Sequence, residues 1–266
     1  MTGQAPARGE HARLLSGLGS PLLLVLTGTG LLHTTVRSEV YLRYVKEGLR
    51  PYLVASGLLL LALGLAGLGV ELVRRLRQPD DDTERRDDHD HDHEHGHGHG
   101  SGRHVSWLLA VPALTLLFVA PPALGSYTAS RDGAAAGIEQ TAYPELADAP
   151  VTPLALEEFI GRSVHAPKTL RGREIRLLGF VSAGESPDTW YLNRLKLSCC
   201  AADARTLHVK MHGAQAPDND TWVEVTGVWQ AGEVPVENPV PTVEVGILKP
   251  VSPPRNPYHD APPTDD

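Results

Sequence analysis

Three long runs of apolar positions, none interrupted by a charge, fill the first half of the 266-residue chain, and short alternating runs fill the second. The first, "LLSGLGSPLLLVLTGTGLLHTTV", covers Leu14–Val36. The second, "PYLVASGLLLLALGLAGLGV", covers Pro51–Val70 and ends against Arg74, Arg75 and Arg77. The third, "VSWLLAVPALTLLFVAPPALGSY", covers Val105–Tyr127. A helix that crosses a bilayer needs about 20 apolar residues, so the pattern predicts three transmembrane helices. No small-residue cleavage site follows the first, which therefore reads as a retained anchor rather than a signal peptide.

Beyond Tyr127 the period changes. Residues 128–153 are rich in Ala, Pro and Gly and read as a linker. A short helix is expected over "LALEEFIGRS" (Leu154–Ser163), then five strands: "REIRLLGFVS", "TWYLNRLKLS", "TLHVKMH", "TWVEVTGVWQ" and "PTVEVGILKP". The third alternates cleanly, with Leu207, Val209 and Met211 against His208, Lys210 and His212. In the second, Tyr191, Leu195 and Leu197 are set on one face, with Arg194, Lys196 and Ser198 opposite. Gly179, Gly227 and Gly246 suit the bends of a small closed sheet. Five short strands in this compass fit an OB-like five-stranded barrel. The predicted organisation is a tail with the first span (1–36), a short loop (37–50), a second span (51–73) and a His/Asp-rich loop (74–104). A third span (105–127), the linker (128–153), the β domain (154–258) and a tail (259–266) follow.

Charge orients these spans. Arg8, Arg13, Arg74, Arg75, Arg77, Arg85, Arg86 and Arg103 flank one side; Arg37, Arg43, Lys46, Arg50 and Arg131 flank the other. The excess places the N-terminus and the second loop in the cytoplasm and the β domain outside. A net charge of −8 argues against nucleic-acid partners.

Two stretches carry donor chemistry. "DDHDHDHEHGHGHGSGRH" interleaves His89, His91, His93, His95, His97, His99 and His104 with Asp90, Asp92 and Glu94. Imidazole and carboxylate donors at this density suit zinc or another divalent transition metal. Their glycine-spaced, charged setting implies a disordered loop before a metal arrives, suited to buffering or sensing rather than catalysis. The alternative is an ordinary solvated linker. The second stretch, "LKLSCCAADARTLHVKMHG", holds the chain's two cysteines, Cys199 and Cys200. Adjacent Cα atoms lie about 3.8 Å apart, against about 4.4 Å at the short end of disulfides, so a bridge between them is a strained ring. As thiolates they suit zinc or Cu(I), with Asp203, His208 and His212 as further donors. The remaining readings are buried packing and a redox pair. His33, near the end of the first span, reads either as a functional intramembrane group or as an interfacial residue.

"LSCCAADA", "TWVEVTGVW" and "NPYHD", with "VAPPALGSYTASRDG" and "LRYVKEGLRPYLVASGLLLLALG", resemble a family of bacterial membrane proteins described as the small subunit of a two-component permease. The resemblance implies the bacterial cytoplasmic membrane as location, an integral-membrane permease subunit as partner, and a C-terminal domain of unknown function. It supplies no catalytic residues. Where the family carries a basic "YVHPR" element, this chain reads "YVKEGLR", without the histidine.

Three functions follow as expectations. The first is an accessory permease subunit handling a transition metal such as zinc. The second is an envelope assembly or interaction protein whose β domain binds a protein, peptide or glycan. The third is a thiol redox protein. The sequence has no Gly-rich phosphate loop, nucleophile elbow or spaced carboxylate pair, so an enzyme is not expected. No charged group lies in the apolar runs, which suits a subunit better than a complete pump.

Overall fold

The computed structural model describes residues 7–77, 122–131, 138, 142–184, 186 and 189–264. The chain forms two compact units, one of Met1–Ser38 and Arg50–Pro121, the other of Glu39–Leu49 and Pro122–Asp266.

In the first unit, α1 (Ala7–Leu32) runs on into a wide turn at His33–Arg37, and α2 is Arg50–Arg77. They are the two helices among the described residues long and apolar enough to cross a membrane. The third expected span falls mostly outside the described residues. Its last two residues open a short helix, α3 (Ser126–Arg131), of the second unit.

The helix pair is antiparallel, and glycines let the backbones meet. A Cβ on Gly28 would lie 2.8 Å from both Gly57 O and Leu61 N, and one on Gly64 would lie 2.8 Å from Val25 N. Small residues at such crossings allow close van der Waals contact, the main attraction available between apolar helices in lipid. Leu58, Leu59, Leu63, Leu65, Leu72 and Leu76 on α2 remain exposed. The pair thus spends its small residues on its own contact and leaves large aliphatic ones outside.

The second unit holds β1 (Val151–Pro153), α4 (Leu156–His165), β2 (Glu174–Ala183), β3 (Trp190–Lys196), β4 (Arg205–His212), β5 (Trp222–Gln230) and β6 (Thr242–Pro250). The strand order is β1-β2-β3-β4-β6-β5, and β2 also pairs with β5, so five of the six strands close into a ring. All ring pairings are antiparallel except β4–β6. Strand β1 lies in the stretch read from the sequence as linker and pairs in parallel with β2. The five expected strands all form. Gly227 marks a register shift between β5 and β6, as a bend-permitting residue should.

Alternation builds the core. Ile175, Leu177 and Val181 of β2 meet Leu207, Val209 and Met211 of β4, with Val223 and Val225 of β5 and Val243 of β6. Trp190 and Leu192 of β3 join them, and Leu156, Phe159 and Ile160 of α4 bury against the same cluster. A second, smaller cluster of Phe180, Leu195 and Ala129 brings in α3.

Arg194 departs from the sequence reading. Alternation set it beside solvent-facing Lys196, yet it is 1% exposed, its guanidinium 5.0 Å from the centre of the Trp222 ring. Its Nε lies 3.6 Å from Asp260 Oδ1, and Nη2 donates to His259 O. The tail therefore supplies the counter-charge, and a short-range pattern cannot see a partner 66 positions away. Asp260 also accepts the first amides of α4, from Leu156 N at 3.0 Å and Glu157 N at 2.7 Å. Burial dominates both groups, raising the pKa of Asp260 and lowering that of Arg194, while the attraction between them opposes each shift.

Replacing Asp260 by Ala leaves Arg194 buried and uncompensated and strips α4 of its cap. Breaking one partner of a buried pair costs roughly 3–5 kcal/mol. We expect the urea midpoint of the β unit to fall accordingly; a loss below about 1 kcal/mol, the value of an exposed pair, would contradict this placement.

Candidate functional site

The connection from β3 to β4 is short and ordered by one carboxylate. Leu197 is buried, anchoring the start of the turn, and Ala201–Asp203 forms a single 3-10 turn before β4 begins at Arg205. Asp203 folds back over this turn. Its Oδ1 accepts Ser198 N at 2.9 Å, and its Oδ2 accepts Cys199 N at 2.8 Å and Cys200 N at 3.5 Å. Three backbone donors that would otherwise face solvent are thereby gathered on one anion, the arrangement of a side-chain cap.

This fold-back carries both thiols with it. The donor atoms of Cys199, Cys200 and Asp203 all lie within 4.8 Å of one another, with Cys199 exposed and the other two half-buried. Neither cysteine is in a disulfide. The carboxylate leaves its mark on the chemistry: hydrogen bonding to Asp203, followed by that to Cys200, pushes the Cys199 thiol up to about 11. Asp203 is held below the usual carboxylate range, chiefly by the Cys199 hydrogen bond. At neutral pH the cluster is thus a carboxylate beside a protonated thiol. A resting thiol of this kind is a poor redox nucleophile, because the thiolate is the reactive form. A protonated thiol is still chemically able to ligate a metal, because a cation can displace the proton.

The other donors are elsewhere. His208 Nδ1 is 2.8 Å from Asn193 Oδ1, and its ring packs edge-on against Tyr191 at 5.9 Å. Asn193 is itself buried, and its amide donates to Ser182 Oγ at 2.9 Å and Phe180 O at 3.1 Å. His208 therefore belongs to a polar network on the outer face of the sheet. His212 is exposed at the far end of β4. At about 3.3 Å per residue, seven steps along the strand put it roughly 23 Å from Arg205, beyond reach of the thiols. His89, His91, His93, His95, His97, His99, Asp90, Asp92 and Glu94 lie outside the described residues.

No pattern along the chain marks what holds the other side of the loop. Val45 and Cys200 form an isolated antiparallel bridge; Lys46 N donates to Cys199 O at 3.0 Å and Ala201 N to Tyr44 O at 2.7 Å. The segment between α1 and α2 thus pairs with the cysteine backbone. It is 155 positions away in the chain, and nothing in its periodicity marks it as a strand partner.

Residues 156–259 match the DUF1980 C-terminal domain. That is a domain of unknown function, and the match carries no permease assignment. Within this chain the DUF1980 match opens at α4, encloses the ring and the whole Cys199–Asp203 loop, and ends at His259, one residue before the carboxylate that caps α4. No curated protein and no solved structure matches the chain.

Asp203→Asn keeps the shape of the side chain but removes its charge. We expect the Cys199 midpoint, followed by thiolate absorbance, to fall from about 11 toward the ordinary thiol value of about 8.5. An unchanged midpoint would mean that the carboxylate does not hold the thiol proton. The pKa of Asp203 is depressed on folding, so its contribution to the turn is complete above the ordinary carboxylate pKa and is lost as pH falls through the depressed one.

Proposed function

We propose that the chain is the accessory, small subunit of a bacterial cytoplasmic-membrane permease and that it handles a transition metal, zinc first. The observation that carries the reading is the convergence of two sulfur donors and one carboxylate, held in place before any ion arrives. Sulfur with oxygen suits zinc, and three protein donors leave a fourth position open. An exposed site with an open position suits an ion in transit better than one locked into a structural role. The two apolar helices, with large aliphatic residues outward, support the membrane location. The ring order, with its parallel β4–β6 contact, supports the OB-like barrel reading of the domain.

In this reading the residues divide the work. Cys199 and Cys200 supply the thiolates, and Asp203 positions the loop and becomes the third donor. The histidine stretch (His89, His91, His93, His95, His97, His99, with Asp90, Asp92 and Glu94) buffers the same metal on the cytoplasmic side. An integral-membrane permease subunit provides the path that two or three helices with few intramembrane charges do not. The raised Cys199 pKa disfavours the redox alternative.

Zinc content of the purified full chain tests this. We expect tight binding that falls by one equivalent in the Cys199→Ser/Cys200→Ser protein, with the remaining, weaker equivalents removed by deleting residues 87–99. Equal zinc content with and without the cysteines would sink the metal role of the β unit. It would favour instead an interaction domain whose thiols merely pack.

A further inference from the structure

Glu39–Leu49 lies between α1 and α2 in the chain, yet it folds with the β unit. Its central residues face the cysteine loop across two backbone hydrogen bonds, which together make one antiparallel bridge. Tyr44 O accepts Ala201 N at 2.7 Å, Lys46 N donates to Cys199 O at 3.0 Å, and Val45 bridges Cys200. Side chains of the C-terminal tail fasten the flanks. Tyr258 Oη donates to Arg43 O at 3.0 Å and accepts Leu124 N at 2.9 Å. Arg255 Nε donates to Glu39 Oε2 at 2.9 Å, and Asn256 Nδ2 to Glu47 Oε2 at 3.4 Å. Tyr41 and Leu42 are buried, so the segment has its own apolar anchor.

These contacts fix the residues that matter at the thiol site. Cys200 is extended, with φ −151° and ψ 173°, and sits between the carboxylate of Asp203 on one side and Val45 on the other. The carboxylate satisfies the amides of Ser198, Cys199 and Cys200. The segment satisfies what the carboxylate cannot reach, the Cys199 carbonyl and the Ala201 amide. Removing either restraint frees a backbone whose rotation would separate the two thiols.

We propose that Tyr44–Lys46 is the positioning element of the Cys199–Cys200–Asp203 site, so that capture of a thiophilic cation there and ordering of the 39–49 segment are coupled. The cation half of this statement rests on the metal reading above. The segment leads directly into Ser38 and Arg50, the residues that join it to the apolar helices. Coupling is reciprocal by thermodynamic necessity: what the segment adds to cation affinity, the cation adds to the order of the segment. A bound ion is thus reported at the connection between α1 and α2.

The test uses the full chain in detergent and compares Lys46→Pro, which lacks the amide donor to Cys199 O, with Lys46→Ala, which keeps it. Tyr258→Phe loosens the same segment through Arg43 without touching residues 44–46, and it serves if the proline variant fails to fold. Two readouts are taken: amide hydrogen exchange at Ala201 and Lys46, and affinity for Cd²⁺ as a thiophilic probe, followed by the cadmium–thiolate charge-transfer absorbance so that ions on the histidine stretch do not register. We expect Ala201 to be protected in the unmodified chain and in Lys46→Ala but not in Lys46→Pro. Affinity for Cd²⁺ should drop by up to about tenfold in Lys46→Pro, the factor set by one backbone hydrogen bond of ordinary strength. We also expect added Cd²⁺ to raise the protection of the Lys46 amide. Ala201 protection that survives Lys46→Pro would overturn the positioning role. Protection lost with unchanged Cd²⁺ affinity would overturn the coupling. Absence of Cd²⁺ binding to the unmodified chain would remove the metal reading and the coupling with it, while the exchange at Ala201 would still decide whether the segment positions the loop.

Discussion

The pairing of β2 with β5 is the constraint on which the second unit depends. Strand β2 bonds β3 over Phe180–Ala183 and β5 over Glu174–Phe180, so one ten-residue strand serves both of its neighbours in the ring and closes the sheet. An open five-stranded sheet would leave two edges of unpaired amides and carbonyls and one face of its aliphatic residues in water. Closure encloses Ile175, Leu177, Leu192, Val209 and Val223 instead. It also fixes where the turns project. The β3–β4 turn must leave the ring at the end where Lys196 pairs with Arg205, and the cysteines are placed there by register before any local interaction acts.

Local chemistry then sharpens what topology has placed. An eight-residue connection (197–204) with three alanines and one buried leucine has little of its own to order it, because little apolar surface is buried to offset the loss of chain entropy. Asp203 and the 39–49 segment replace that missing core with backbone hydrogen bonds, one from within the loop and one from a distant part of the chain. The same economy recurs at the tail. Asp260 caps α4 and faces Arg194, Tyr258 and Arg255 hold the 39–49 segment, and the last described residues act as a clasp.

Strand identity was legible because alternation is a local signal. Leu207, Val209 and Met211 are inside with His208 and Lys210 outside, as the pattern of β4 states. The apolar character of α1 and α2 was legible for the same reason. Arg194 was misplaced because its burial depends on Trp222 and Asp260, neither of them near it in sequence. Strand β1 has no legible period because three residues, preceded by one proline and ending in another, carry too short a pattern. The candidate site was half legible. Adjacency and donor type mark Cys199, Cys200 and Asp203, whereas strand phase alone points to His208 and His212. Phase says which face a residue takes, not what it bonds there: Asn193 holds His208, and distance along β4 removes His212. Tyr44–Lys46 had no signature, since a three-residue bridge between distant segments has no period.

The central claim is that Cys199, Cys200 and Asp203 act as one preformed ligand set. Zinc K-edge X-ray absorption of the full chain loaded with one equivalent of metal tests it most directly. The account predicts two sulfur neighbours at about 2.3 Å and oxygen at about 2.0–2.2 Å. A shell of nitrogen and oxygen alone would place the metal on the histidine stretch and contradict the assignment.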